Sequence, residues 1–136
     1  MTLSSVKSSQ VQSLVLPTGV AIDWRVRQAA ELIRRKPATQ VWDIAVSLNL
    51  SASRLRHLFT AELGMSPTQY LRRARLEHAR VLFEVSSLSV KEVTVMVAFN
   101  DVSHFVRDYK AAYGQTPGQT RQARKDFHSA ANTANE

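Results

Sequence analysis

The chain has 136 residues, 44% of them hydrophobic and 21% charged, a size and mix that fit one domain, or two very small ones, around a modest core. It has no cysteine, which excludes disulfides and thiolate metal sites, and no uninterrupted apolar run of the ~18 residues that a membrane span needs. Eighteen Lys and Arg against 11 Asp and Glu give a formal charge of +7 and a pI near 10.4, which favours an anionic partner, nucleic acid ahead of a membrane surface.

The opening, MTLSSVKSSQVQS, has no basic head followed by an apolar core and does not read as an export signal. Residues 1–22 carry Ser, Gln and Thr, a short apolar stretch at Leu14–Leu16, then Pro17 and Gly19; they read as a flexible arm or the remnant of a linker. Asp23 is placed to cap a helix in which Trp24, Val26, Ala29, Ala30 and Ile33 recur at helical spacing, ending before Pro37. Thr39 is the expected cap of a second helix, with Val41, Ile44, Ala45 and Leu48 on one side. A third is predicted from about Ala52 to Leu63, turning Leu55, Leu58, Phe59 and Leu63 inward, with Gly64 as a left-handed stop.

Ser66 and Pro67 then form a start signal. The helix they open has Tyr70, Leu71, Ala74, Ala79 and Leu82 for packing and, unbroken to about Glu84, spans roughly 25 Å. Ser89 with Glu92 makes a capping box ahead of VKEVTVMVAF. Its valines suit a strand, and the box decides for a helix with Val90, Val93 and Val97 inward. Residues 125–136 read as a C-terminal tail, fraying from about Phe127.

Two stretches repeat. Val41, Ile44, Val46, Leu48 and Leu50 match Val90, Val93, Val95, Val97 and Phe99 at an offset of 49; Leu55, Phe59, Leu63, Gly64 and Pro67 match Phe105, Tyr109, Tyr113, Gly114 and Pro117 at 50. One residue has entered the second turn near Asp101–Val102. Each copy is a short helix, a tight turn, a longer helix and a Gly-x-Ser/Thr-Pro corner. The predicted fold is therefore all-α, a first unit at about 39–64, a linking helix at about 67–84 and a second unit at about 89–114, within a domain of 23–124.

A short helix, tight turn and second helix is the arrangement that lays its second helix in a DNA major groove. In the first copy the outward face carries Ser53, Arg54, Arg56 and His57, with Arg56 the best candidate for a bidentate bond to guanine. In the second it carries Val102, Ser103, Val106 and Arg107, so apolar contact and a single strong donor. Arg72, Arg73 and Arg75 near the start of the linking helix, with Arg80 beyond, are candidates to hold phosphates. Between Asp23 and Leu88 there are 11 basic and 6 acidic residues, and from Ser89 onward 6 and 5, so the positive charge gathers on the first copy.

The runs GMSPTQYLRRARLEHA and FNDVSHFVRDYKAAYGQTP together resemble the DNA-binding domain of the arabinose-regulator (AraC/XylS) family of bacterial transcription factors, over about residues 23–124. The resemblance implies seven helices, two helix-turn-helix units on a long central helix, and reading helices at about Ala52–Glu62 and Ser103–Tyr113 in successive major grooves. It implies base-facing roles for Ser53, Arg56, His57, Val102, Ser103, Val106 and Arg107, places Arg73 and Arg75 in the basic section after the first unit, and sets His104 beside a phosphate; Arg54 and Arg72 remain phosphate candidates from their own positions. RNA polymerase is the implied protein partner and activation the implied outcome, for a monomeric DNA-binding domain in the bacterial cytoplasm and at the nucleoid, whose longer parent would dimerise. Asn49 and Ala98 stand at turn positions where the family usually has glycine; Thr94 replaces a small alanine, and Asp108 an uncharged residue. The Ser- and Gln-containing residues ahead of the first helix favour a fragment beginning in an interdomain linker over a stand-alone regulator.

Other classes fit less well. The four histidines, His57, His78, His104 and His128, are widely separated, and there is no glycine-rich phosphate loop, so no metal, no cofactor and no enzyme is expected. The rival reading is an interaction module of the same fold, docking RNA polymerase or another regulator through the valine-bearing second unit.

Overall fold

The computed structural model describes residues 22–134, and among these the chain is all-α with seven helices. The proposed arm lies outside the described residues except for Ile22, which packs against the first core. The chain divides into two compact units, unit 1 ending at Arg75 and unit 2 beginning at Leu76, and each has its own hydrophobic cluster.

In unit 1, helix α1 (Trp24–Arg35) starts where the Asp23 carboxylate accepts the Arg25 N–H at 2.9 Å. Val26, Ala29, Ala30 and Ile33 are fully buried, the i, i+3, i+4, i+7 stripe of an amphipathic helix. Trp24, expected inward, is 63% exposed; two residues before Val26 means about 200° around the helix from it. Helix α2 (Val41–Ser47) has Gln40, not Thr39, at its N-cap. Thr39 sits one residue too early, and its carbonyl is taken by the Arg75 guanidinium. Helix α3 (Ala52–Leu63) buries Leu55 and Phe59, starts on the Ser51 hydroxyl and stops at Gly64, whose φ of 74° is the left-handed cap. The Phe59 ring meets Tyr70 edge-on at 5.3 Å.

Helix α4 (Pro67–Val85) crosses the boundary. Its first half gives Tyr70, Leu71 and Ala74 to the unit 1 cluster, its second half Leu76, Ala79 and Phe83 to the unit 2 cluster. Helix α5 (Val90–Met96) carries the full capping box, with Ser89 Oγ accepting the Glu92 N–H and Glu92 accepting the Ser89 N–H. The box prevails over the strand propensity of the valines. Helix α6 (Val102–Tyr113) is capped by Asp101 and closed by Gly114 at φ 74°. Helix α7 (Pro117–Ala134) overturns the expected tail. Beyond Thr120 it has no buried residue, and alanines at 123, 130 and 131 carry it on by propensity.

The duplication begins earlier than the sequence comparison placed it. Val26, Ala29 and Ile33 of α1 correspond at an offset of 50 to Leu76, Ala79 and Phe83 of α4, and all six are buried. The duplicated part of each unit is thus three helices, the first of unit 2 being the back half of α4. Four residues separate α2 from α3 and five separate α5 from α6, which locates the inserted residue in the second turn. Both turns use a left-handed non-glycine residue, Asn49 at φ 58° and Ala98 at φ 64°.

Candidate nucleic-acid interface

On α3 the outward side chains form one depression lined by Ser53, Arg56, His57, Thr60 and Ala61. Those positions are i, i+3, i+4, i+7 and i+8, a continuous stripe along one helix face. Thr60 and Ala61 were not among the sequence candidates, although the same spacing points to them. Arg54 is exposed but does not line this depression; its charge is one of the cations acting on Asp23. The Asp23 carboxyl is held down at about 2, chiefly by its hydrogen bonds from Arg25.

A second hollow lies where α3 turns into α4, lined by Gly64, Met65, Gln69, Arg72 and Arg73. At the corner Ser66 and Gln69 exchange hydrogen bonds, Ser66 Oγ accepting the Gln69 N–H at 3.1 Å and Gln69 Oε1 accepting the Ser66 N–H at 2.9 Å, the reciprocal pattern of a capping box. Arg75 points elsewhere. Its Nε donates to the Pro37 carbonyl and its Nη2 to the Thr39 carbonyl, both at 2.8 Å. Burial pulls its pKa below the ordinary arginine value. The guanidinium grouped by sequence with Arg72 and Arg73 therefore ties α4 to the loop before α2.

The helices that carry these side chains fall within a known domain. A helix-turn-helix domain family model matches residues 44–123. The chain is 33% identical over 103 residues to the arabinose operon regulatory protein of Escherichia coli (strain K12), covering 74% of this chain and 35% of that protein. It is 30% identical over 111 residues to the HTH-type transcriptional regulator MtrA of Neisseria gonorrhoeae, covering 77% of this chain and 36% of that one. The structure of an AraC-type transcriptional regulator from Chromobacterium violaceum superposes with a TM-score of 0.68 at 27% identity, over 74% of this chain and 91% of that chain. The chain belongs to the AraC/XylS family of helix-turn-helix domains. It spans between about a quarter and a third of the length of the curated relatives first matched. An AraC/XylS domain is a sequence-specific binder of double-stranded DNA in transcription regulation and not an enzyme.

The outward face of α6 in this AraC/XylS domain differs from that of α3. Offset by 50, the α3 stripe becomes Ser103, Val106, Arg107, Lys110 and Ala111. Val102 is 41% exposed and Ser103 and His104 are exposed, but Val106, expected outward, is partly buried against the unit 2 cluster. It adjoins Phe105 and lies one turn before Tyr109, on the flank of the buried stripe. Arg107 is exposed, and its Nε lies 3.8 Å from the Asp108 carboxylate. The Asp101 carboxyl is held below its usual range by the His104 backbone N–H it accepts. The corner after α6 repeats the reciprocal cap through Thr116 and Gln119. Gln122 and Ala123 occupy the places of Arg72 and Arg73. Thr94 replaces the alanine of the family at a buried place by returning its hydroxyl to the Val90 carbonyl at 2.7 Å. Among the described residues no three His, Asp or Glu side chains are grouped to hold a metal, and no helix is long and apolar enough to cross a membrane.

Proposed function

We propose that the chain binds a duplex as a monomer through α3 and α6 in successive major grooves, with α3 the stricter reader and Arg72 and Arg73 the main phosphate grip of unit 1. The observation that carries this reading is the α3 stripe, where Ser53, Arg56, His57 and Thr60 line one depression beside a corner bearing two arginines. A guanidinium, an imidazole and two hydroxyls are groups that donate to and accept from base edges. The second stripe offers Ser103, Arg107 and Lys110, with Val102 for a thymine methyl and His104 and Arg54 for flanking phosphates. Arg75 is assigned to holding α4 in place.

RNA polymerase is the proposed protein partner and activation the proposed outcome, in the bacterial cytoplasm. The exposed apolar side chains of α5, Val95 at 69% and Met96 at 49%, favour such a contact on unit 2. The test is selection from random duplexes followed by footprinting and saturation mutagenesis of the selected site. Two protected groove segments, with sharper base demands in one, support the reading. Protection of a single groove refutes the two-groove arrangement, and stricter demands in the segment read by Arg107 reverse the order.

A further inference from the structure

We infer that Glu77, Arg80 and Tyr113 form a positioning network that fixes the angle of α6, and with it the base preference of unit 2. The inference rests on α6 being the second reading helix. Tyr113 is the last residue of α6. Its hydroxyl donates to Glu77 Oε1 at 3.0 Å, while Arg80 Nη2 meets Glu77 Oε2 at 2.7 Å and the Arg80 guanidinium lies 5.3 Å over the Tyr113 ring. Burial, with Glu77 beside it, pushes the Tyr113 phenol well above its usual range, so it remains a donor at working pH. Tyr113 also packs edge-on against Tyr109 at 4.9 Å, and the Tyr109 hydroxyl pairs with Thr120 at 2.8 Å.

The fold does not require this chemistry. At the same places in the duplicated scaffold, unit 1 has Arg27, Ala30 and Leu63. The network is also incompletely satisfied, because Arg80 Nε is buried without a hydrogen-bond partner. The Arg80–Glu77 pair is part-buried and imperfectly satisfied, and such a pair is a poor source of stability that apolar replacements of similar volume often match. Direction is what hydrogen bonds and a stacked guanidinium add. A helix of 12 residues is about 18 Å long, so a pivot of about 10° near its middle would move its N-terminal reading residues by about 1.5 Å. That exceeds the tolerance of a bidentate base contact.

The experiment measures discrimination between cognate and single-base-variant duplexes separately in the α3 and α6 segments, beside thermal stability. Tyr113→Phe keeps the ring and removes the hydroxyl; Glu77→Gln keeps an acceptor and removes the charge. Each is expected to lower discrimination in the α6 segment about three- to tenfold and to leave the α3 segment unchanged. The combined Glu77→Leu, Arg80→Met, Tyr113→Leu variant is expected to melt no lower than the parent while losing that discrimination. Leu88→Ala, which trims a side chain that the loop between α4 and α5 packs against the unit 2 cluster, should melt lower with the segment ratio intact. Proportional losses in both segments, an unmoved ratio in Tyr113→Phe and Glu77→Gln, or an equal shift in Leu88→Ala overturns the network. A parent chain without base preference in its second segment overturns instead the reading on which the network rests.

Discussion

Ala98 holds the tight turn of unit 2 at φ 64°, and replacing it tests whether that turn stores strain. A left-handed conformation costs an L-residue such as alanine about 1–2 kcal/mol. Ala98→Gly removes that cost, but returns about 0.5–1 kcal/mol through the freer unfolded chain. It also loses a half-buried methyl worth about 0.4 kcal/mol, half the value of a fully buried one. At mid-range the remainder is a gain of about 0.3 kcal/mol, which in a unit of this size raises the melting temperature by about 1–3 °C. Ala98→Asn should gain as well, since asparagine accepts this region without the entropy of glycine. Asn49→Ala, which places alanine at φ 58° in unit 1, should lose about 1 kcal/mol. Thermal and urea unfolding followed by far-UV circular dichroism reads all three, and tryptophan emission isolates unit 1, which holds both Trp24 and Trp42. Neutral or destabilising results for Ala98→Gly and Ala98→Asn, with Asn49→Ala also neutral, would refute the strained-turn argument.

Arg56→Ala should weaken cognate binding by about 1–3 kcal/mol and relax selectivity at one base position; an unchanged preference profile in duplex competition removes Arg56 from the readers. Arg75→Ala should cost about 2–3 kcal/mol of stability, from two charge-assisted bonds to carbonyls, with an unchanged salt slope of binding. Arg73→Ala should flatten that slope by about 0.9 with little effect on unfolding, and the opposite pattern would exchange the two roles. Asp23 has a folded value of about 2 against its ordinary 3.8, so its contribution is full above the ordinary value and is lost as pH falls towards 2. The melting difference between the parent and Asp23→Asn, which keeps a capping oxygen but no charge, should therefore shrink between pH 5 and pH 2. A difference constant across that range contradicts the assignment.

The fold was legible wherever a local signal was sufficient. Gly64 and Gly114 stop helices because of their backbone freedom, Pro67 and Pro117 start them, and the Ser89–Glu92 box is a contact between near neighbours in the chain. Arg75 was not legible as an anchor. Beside Arg72 and Arg73 it reads as part of one basic cluster, and only the fold brings the Pro37 and Thr39 carbonyls, 38 and 36 residues away, to its donors. Val106 shows the same difficulty at finer scale. Helical phase sets it between the outer face and the Phe105–Tyr109 stripe, and the neighbouring core decided which side it joined. The helix beyond Arg124 was missed for the opposite reason, because it forms without burying anything.

Internal duplication makes the chain its own comparison. Where two copies must build the same core, substitutions keep apolar character: Val26 and Leu76, Ile33 and Phe83, Leu55 and Phe105, Phe59 and Tyr109 are all buried in their units. Polar replacements in the core are hydrogen-bonded: Thr94, at the place of Ala45, returns its hydroxyl to the Val90 carbonyl, and Thr120, at the place of Tyr70, pairs with the Tyr109 hydroxyl. Further differences of chemical type lie at three other places. On the outward stripe Arg56 corresponds to Val106; at the corner after it Arg72 and Arg73 correspond to Gln122 and Ala123; and Ala30 and Leu63 correspond to Arg80 and Tyr113. Under the proposed function the first two differences take donors for bases and phosphates away from unit 2. The third adds a directional restraint to it. With Arg107 the only guanidinium among Ser103, Arg107 and Lys110, the proposed α6 reader gains little from freedom to adjust, since a guanidinium aimed along a slightly wrong line loses its bidentate geometry. A reader with several donors keeps some contacts when one is displaced. On this reasoning the weaker stripe and the stiffer mounting of α6 are one adaptation, and the copy with fewer contacts is the one whose angle has to be held.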